Sequence, residues 1–255
     1  MLLAIDVGNT HMVVGVFDGG NWRGTWRMHT NVARTEDETG AALRSFLERA
    51  GIAEAISRVI ISNVVPALQE TLTRLSNKWF NCQPIFVSDK LDLGLTVKYN
   101  PPSAVGADRL ANAVAAIELY GTPIIVLDMG TATTLDAISR DKEYLGGAIL
   151  PGVVLSMEAL FTKAARLPRI ALEPPENAIG RDTESSLRSG IIVGTAGAID
   201  TLVKRFKEEL GDDTRVIATG GLASTVVEAC QTVELSNPNL TLEGLRIIAS
   251  KNPLP

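Results

Sequence analysis

Short apolar or alternating runs separated by turn residues at the start of the chain predict three consecutive strands. The pattern places them at 2–5, 11–17 and 22–28, with short polar breaks between them. The second break, Asp18-Gly19-Gly20-Asn21, has the residues typical of a hairpin turn. The chain is therefore predicted to begin as strands joined by tight turns.

The pattern then alternates between helical and strand periods. One helix is predicted from the acidic stretch 35–38 to Gly51, and a second helix begins at Pro66. Strands are expected at 58–63 and 85–87. The first part of the chain thus has the predicted order βββαβαβ.

A break in periodicity separates this part from the next one. Residues 91–106 are predicted to be a loop, because Asn100-Pro101-Pro102-Ser103 disfavours both helix and strand. Gly106-Ala107-Asp108-Arg109 then opens a helix that Gly121 ends. An Asp beside an Arg at a helix start is most often a surface ion pair, so this pair alone does not indicate a site.

The strand pattern starts again after Gly121. Strands are expected near 123–128, 133–139 and 143–149, followed by a helix after Pro151-Gly152. Residues 167–180 are rich in proline and glycine and are predicted to be a surface connection. The second part therefore repeats the first one in outline.

The longest predicted helix contains three glycines. It runs from the cap Asp182-Thr183-Glu184-Ser185 to about residue 210 and includes Gly190, Gly194 and Gly197. Each glycine costs a helix about 1 kcal/mol relative to alanine. Their spacing lies along one face, so we infer tight packing by another helix or backbone and, from the same spacing, a subunit interface.

The chain closes with a strand, a glycine-rich turn and a short helix. The strand at 216–218 leads into Thr219-Gly220-Gly221-Leu222, and the last helix is expected at 242–249. Such a turn can admit a flat nucleoside against bare backbone. On its own it is a weak signal.

Two short motifs recur in the two parts. Asp6-Val7-Gly8-Asn9-Thr10 and Asp128-Met129-Gly130-Thr131 each follow an apolar strand and lead into another one. The acid can reach a metal ion or its water shell, the glycine lets backbone approach a bulky anion, and the following Asn or Thr can donate to phosphate oxygens. One copy alone would indicate only a turn. Two copies with the same flanks favour a pair of facing turns that clamp a polyphosphate and its metal.

Length and composition limit the classes of protein to which this chain can belong. The 255 residues, 45% hydrophobic and 21% charged, fit a folded globular protein, and the repeat favours two domains. The net charge of −5 disfavours nonspecific nucleic-acid binding, which depends on Lys and Arg, although a local basic patch is compatible with it.

The few cysteines and histidines disfavour a zinc site. Cys82 and Cys230 lack the C-x-x-C spacing, and His11 and His29 are the only sources of imidazole. Asp6 falls where a secretory signal would need apolar residues, and no apolar run approaches the roughly 20 residues of a membrane span. We expect a cytoplasmic protein with no membrane partner.

Further motifs occur in order along nearly the whole chain. The second turn continues as Ala132-Thr133-Thr134, and the other stretches are Ser62–Pro66, Tyr99–Pro102, Gly106–Arg109, Gly146–Ile149, Gly180–Thr183 and Thr219–Gly221. Together with the two acid-glycine turns, this set resembles type III pantothenate kinases, a family of the acetate and sugar kinase, Hsp70 and actin superfamily.

The resemblance implies an α/β protein with a duplicated ribonuclease H-like (actin-like ATPase) fold. Two domains with mixed sheets flanked by helices are expected, with ATP held in the cleft between them. Residues 1–114 would form the N-terminal half with the first phosphate motif and the acceptor segment. Residues 115–255 would form the C-terminal half with the second phosphate motif, the nucleoside-side glycine turn and the dimer helix.

The activity implied by the resemblance is ATP-dependent phosphorylation of pantothenate to 4'-phosphopantothenate, the first step of coenzyme A synthesis. Family members use Mg²⁺ with ATP and need a monovalent cation, K⁺ or NH₄⁺. They are homodimers in which the partner completes the pantothenate site. No nucleic-acid partner is expected.

The resemblance also assigns roles to residues. Asp108 would orient or deprotonate the pantothenate hydroxyl, Asp6 would hold Mg²⁺ through water, and Asp128 would bind the monovalent cation. The implied ATP and phosphate contacts are Asp6, Val7, Gly8, Asn9, Thr10, Gly130, Thr131, Ala132, Thr133, Gly220 and Gly221. The implied pantothenate contacts are Tyr99, Gly106, Ala107, Asp108, Arg109 and Thr183.

Two other readings compete with this one. The first is a kinase or phosphatase for another small acceptor, which the acceptor motifs disfavour. The second is a catalytically inactive nucleotide-binding regulatory protein of the same fold. The presence of Asp6, Asp108 and Asp128 together disfavours lost catalysis, and the acidic balance disfavours direct DNA binding.

Overall fold

The computed structural model describes residues 1–52, 56–164 and 167–253. Its strands are β1 (Leu2–Val7), β2 (His11–Phe17), β3 (Trp22–His29), β4 (Arg58–Asn63), β5 (Pro84–Phe86), β6 (Thr96–Val97), β7 (Ile124–Met129), β8 (Ala132–Ile138), β9 (Glu143–Pro151), β10 (Arg215–Thr219) and β11 (Leu235–Ser236). Its helices are α1 (Glu36–Arg49), α2 (Gln69–Phe80), α3 (Ala107–Tyr120), α4 (Val153–Lys163), α5 (Thr183–Arg188), α6 (Gly194–Leu210), α7 (Ala223–Val226) and α8 (Leu240–Lys251).

The chain packs as two units, each with its own mixed sheet. In the first unit the strand order is β3-β2-β1-β4-β5, with β1 to β3 antiparallel and β4 and β5 added in parallel. In the second unit the order is β11-β10-β7-β8-β9-β6. The antiparallel strands β7 to β9 and the parallel strands β10 and β11 repeat the first sheet strand for strand. The duplicated fold predicted from the two motifs is confirmed.

The core of the first unit lies on one face of its sheet. Leu3, Ile5 and Val7 of β1 and Ile61 of β4 are fully buried in one apolar cluster. Leu43 and Leu47 of α1 and Leu72 and Leu75 of α2 complete that cluster. Because strand residues alternate between faces, Asp6 and Ser62 lie on the opposite face.

The opposite face of the first sheet is covered by α8, which packs against β1, β2 and β4. The Trp22 indole donates to Glu243 Oε1 at 2.6 Å, and Thr241 Oγ1 donates to Asn112 Oδ1 at 2.8 Å. The second bond ties α8 to α3. The first part of α3, which carries Asp108 and Arg109, is thereby fixed within the first unit.

The two units divide the chain differently from the predicted split at 114/115. The first unit comprises Met1–Leu95, Tyr99–Ala115 and the C-terminal segment that begins at Leu240. The second comprises Thr96–Lys98 and Ala116–Asn239. Two long-range pairings cause the difference: β6 joins the second sheet beside β9, and α8 packs on the first sheet.

The glycine-bearing helix corrects one prediction. The segment consists of α5, a π-helical turn at Ser189–Val193, and α6. A Cβ added at Gly190, Gly194 or Gly197 would meet no atom of the described residues within 4 Å. The inference of tight packing at these glycines is therefore wrong within the chain, because they face outward from the buried side of the helix.

The predicted loop at 91–106 contains the two-residue strand β6, which is too short to leave a periodic pattern. No helix of the described residues is long and apolar enough to cross a membrane.

Candidate active site

The first acid-glycine turn closes the β1–β2 hairpin. Asp6 is half-buried near the end of β1, and Asn9 and Thr10 are exposed at the turn. The Gly8 N–H donates to the His11 carbonyl at 3.0 Å, which fixes the turn. The exposed groups of Asn9 and Thr10 are accordingly accessible donors for an anion.

Thr30 supports this turn from the end of β3. Its Oγ1 donates to the Gly8 carbonyl at 2.6 Å, and its N–H donates to the Thr10 carbonyl at 3.0 Å. Thr30 was not among the site residues predicted from the sequence. The only signal was a hydroxyl residue directly after the third strand, and the register that brings it to the turn becomes visible only in the folded sheet.

The second acid-glycine turn closes the β7–β8 hairpin of the second unit in a similar way, but it is one residue shorter. The Gly130 N–H donates to the Ala132 carbonyl at 3.0 Å. The position that corresponds to Thr30 is Gly152, where a Cβ would lie 2.2 Å from the Thr131 carbonyl oxygen. The chain after β9 therefore touches the second turn as the chain after β3 touches the first.

Thr133, the second residue of β8, carries a buried hydroxyl just after this second turn. Its side chain is fully buried, and its Oγ1 has no hydrogen-bond partner within the described part of the chain. A buried hydroxyl without a partner is costly, so its presence next to an exposed Thr131 fits a site that a polar ligand completes.

The glycine-rich turn after β10 lies against the second phosphate motif. Thr219 pairs with Asp128 across β10 and β7, and the Leu222 N–H donates to the Met129 carbonyl at 3.3 Å. Gly220 has a φ of +95°, and a Cβ there would lie 2.6 Å from backbone atoms of Met129. Only glycine fits both constraints. Gly221, next to it, is exposed.

Asp108 lies in the first turn of α3, and the pKa of its carboxyl group is raised. Burial raises the pKa of Asp108, and the Arg109 N–H, which donates to Asp108 Oδ1 at 2.8 Å, together with the Arg109 charge, opposes that shift. Removal from water disfavours the ionised form of a carboxyl group. The raised pKa makes Asp108 a stronger base than an ordinary Asp, which is the property that a general base near neutral pH needs.

The rest of the acceptor segment surrounds Asp108 in the first unit. A Cβ at Gly106 would lie 2.5 Å from Asp108 Oδ1 and 3.7 Å from a methyl group of Val64, so Gly106 lies close both to the Asp108 carboxyl group and to the residue that follows β4. Ala107 and Arg109 are buried, and Tyr99 is half-buried. Because β4 pairs with β1, this segment lies near the strand that carries Asp6.

Thr183 belongs to the second unit, whereas the other predicted acceptor residues belong to the first. It is the first residue of α5 and is exposed, with Asp182 as the helix cap. It lines a hollow of about 540 Å³. The other residues around this hollow are Leu167, Gly180, Arg181, Asp182, Ser186 and Leu187.

The described residues contain no group of three or more His, Cys, Asp or Glu side chains that could hold a metal ion by themselves. Asp6 and Asp128 are single acids at the ends of β1 and β7. A single acid of this kind fits a cation such as Mg²⁺, which keeps several waters and is bound through one or two carboxylates and substrate phosphates.

Comparisons with solved structures show the fold. A protein from Campylobacter jejuni described as a conserved Baf family transcriptional activator is 21% identical, with 98% of each chain covered and a TM-score of 0.64. A 2-dehydro-3-deoxygalactonokinase protein from Sinorhizobium meliloti is 12% identical, with 100% and 98% covered and a TM-score of 0.62. The inorganic polyphosphate/ATP-glucomannokinase from Arthrobacter sp. is 14% identical, with 98% and 99% covered and a TM-score of 0.52. These similarities place the chain in the fold of the actin-like ATPases and sugar kinases.

The family comparison agrees with the motifs. The sequence model of the family described as "Type III pantothenate kinase" matches residues 2–205, which include both acid-glycine turns and the acceptor segment around Asp108. This membership supports a kinase that uses ATP with a divalent metal. On that match, the chain belongs to the type III pantothenate kinase family.

Proposed function

We propose that this protein transfers the γ-phosphoryl group of ATP to the primary hydroxyl of pantothenate. The product would be 4'-phosphopantothenate, and the reaction would be the first step of coenzyme A synthesis. The observation that carries the proposal is the family match over residues 2–205, which contains the two phosphate turns and the acceptor residues described below.

The two turns supply the groups that hold the donor. Phosphoryl transfer needs donors around the phosphates and a metal that neutralises the β and γ oxygens. The side chains of Asn9, Thr10, Thr131 and Thr133, with the backbone of Val7, Gly8, Gly130 and Ala132, are the proposed phosphate contacts. Asp6 would hold Mg²⁺ through water. Gly220 and Gly221 leave bare backbone for the nucleoside.

Asp108 is the proposed catalytic residue for the acceptor. Its raised pKa suits proton removal from the pantothenate hydroxyl. A carboxyl group at the same position would also orient that hydroxyl for transfer. Tyr99, Gly106, Ala107 and Arg109 would hold the rest of pantothenate. Asp128 is the proposed ligand of K⁺ or NH₄⁺.

We also propose that two copies of the chain form a homodimer through the glycine face of α5 and α6. Gly190 and Gly194 border an open groove of about 680 Å³. The apolar side chain of Leu160 on α4 lines this groove and is 41% exposed. Burial of such a surface favours association. The partner's copy of the Thr183 region would then complete the pantothenate site.

Replacing Gly194 with Arg is expected to convert a dimer into a monomer with a higher KM for pantothenate. A Cβ added at Gly194 would meet no atom of the described residues within 4 Å, so the variant should fold, whereas the charge would lie in the proposed interface. Sedimentation velocity gives the assembly state, and Glu209→Arg, an exposed position farther along α6, is the control. A fully active wild-type monomer would contradict the dimer.

The proposed activity is tested by ADP formation with and without pantothenate, in potassium and in sodium buffer. We expect turnover that depends on pantothenate and is faster in potassium. Absence of pantothenate-dependent ADP formation in both buffers would contradict the proposal.

The inactive regulator remains the alternative. The Campylobacter protein carries a regulatory description, but 21% identity shows the fold alone. A regulator would bind ATP without acceptor-dependent turnover, and it would not need a carboxyl group with a raised pKa at residue 108. The raised pKa of the buried Asp108 carboxyl group therefore favours the kinase.

A further inference from the structure

Ser62 carries a buried hydroxyl group in the first unit, and among the described residues this group has no hydrogen-bond partner. Ser62 lies in β4 and is fully buried. Folded proteins rarely keep such a group without a reason, since an unmade buried hydrogen bond costs free energy. Ser76, also fully buried, shows the usual arrangement, because its Oγ donates to the Leu72 carbonyl at 2.9 Å.

The strand pairing places Ser62 beside Asp6. The two residues are direct partners in the parallel pair of β1 and β4, so their side chains share a face of the sheet. Neighbouring strands lie about 4.8 Å apart. Ile5 and Ile61, the preceding residues, point into the apolar core on the other face. Ser62 is thus directed to the face that carries the acid of the first phosphate motif.

The second unit repeats this pairing. Asp128, the acid of the second motif, is the direct partner of Thr219 in the parallel pair of β7 and β10. Thr219 is also buried, with 2% of its surface exposed. A buried hydroxyl residue therefore stands opposite the motif acid in both halves of the duplicated fold. This recurrence links the hydroxyl to the function of the acid and not to the local packing of one sheet.

We propose that Ser62 is a binding residue for the hydrated divalent cation that accompanies the nucleotide. Its Oγ hydrogen-bonds a water of the cation's shell beside Asp6, so that the carboxylate supplies charge and the hydroxyl fixes the orientation of the shell. The inference rests on nucleotide binding as part of the proposed function and extends it to a residue with no assigned role. It requires no pantothenate.

The test uses the full chain with Ser62 replaced by Ala. Thermal unfolding is measured without ligand and in fixed ATP with increasing Mg²⁺. Without ligand, we expect the Tm to stay equal or rise, because Ala removes a hydroxyl that lacks a partner. With ATP, we expect the Mg²⁺ concentration for half-maximal stabilisation to increase about 3- to 10-fold, which is the effect expected from the loss of one hydrogen bond. Ser62→Cys keeps the side-chain size with a weak donor and should give an intermediate shift.

Ser76→Ala is the matched control. It removes a satisfied hydrogen bond of α2, so it should lower the Tm without ligand and leave the Mg²⁺ midpoint unchanged. A lower Tm for Ser62→Ala with an unchanged Mg²⁺ midpoint would overturn the inference and assign the hydroxyl a packing role. Mg²⁺-dependent stabilisation of the wild type without phosphorylation of pantothenate would contradict the proposed kinase but leave the test of Ser62 intact.

Discussion

Replacing Asp108 with Asn is expected to lower kcat by about 100- to 10,000-fold, the usual contribution of general acid–base catalysis. Asn retains the shape of the side chain and loses the basic oxygen that would accept or align the hydroxyl proton. Steady-state kinetics with ATP and pantothenate varied separately give kcat and both KM values. We expect the KM for ATP to stay near that of the wild type.

The same variant should be more stable than the wild type at pH 7. Burial raises the pKa of Asp108 in the folded chain, so folding favours its protonated form. That contribution to stability is complete below the unfolded pKa, about 3.9, and is lost as pH rises through the higher folded value. At pH 7 an unfolded Asp is ionised, so folding of the wild type acts against the ionised form of Asp108. Urea unfolding should show a stability gain for Asn that shrinks as the pH is lowered.

Asp37→Asn is the matched control for both measurements. Asp37 also lies in the first turn of a helix, but it is exposed, and hydrogen bonds from Lys78 and Trp79 lower its pKa. Its replacement should leave kcat unchanged and should not stabilise the protein at pH 7. Full kcat in Asp108→Asn would remove Asp108 from the catalytic role.

Replacing Gly220 with Ala is expected to damage both the fold of the second unit and ATP binding. The residue has a φ of +95°, and the new Cβ would lie 2.6 Å from the N, C and O atoms of Met129. Met129 ends the central strand β7 and cannot shift without moving the second phosphate turn. We expect unfolding free energy to fall by about 2–5 kcal/mol from strain and overlap, and the KM for ATP to rise at least about tenfold.

Gly121→Ala separates the effect of backbone strain from the effect of steric overlap. Gly121 also has a positive φ, +81°, but a Cβ there would meet no atom of the described residues within 4 Å. It shares the backbone strain without the overlap, so it should lose stability by about 1–2 kcal/mol and retain the wild-type KM for ATP. Equal effects of the two replacements on ATP binding would show that Gly220 does not support the phosphate turn.

The sequence allowed the order of most strands and helices to be predicted, because each carries several residues of a clear period. Strand β6 has two residues and leaves no such pattern, and nothing in the 242–249 helix indicates that it packs on the first sheet. The glycines of the long helix were interpreted as a packing surface, but their cost in helix propensity gives no information on which side they face.

The candidate site was predictable where its residues are adjacent in the chain. The two turns and the Gly106–Arg109 segment are of this kind. The contact between Gly220 and Met129, and the position of Thr30 under the first turn, depend on strand pairing across many residues. The raised pKa of Asp108 depends on burial, which the local sequence Gly-Ala-Asp-Arg does not reveal.

The most direct measurement is the mass of pantothenate after incubation with the protein, ATP, Mg²⁺ and K⁺. Transfer predicts that pantothenate gains the mass of one phosphoryl group in proportion to the ADP formed, and that the Asp108→Asn variant leaves it unmodified over the same time. Consumption of ATP with pantothenate recovered unchanged would contradict the account.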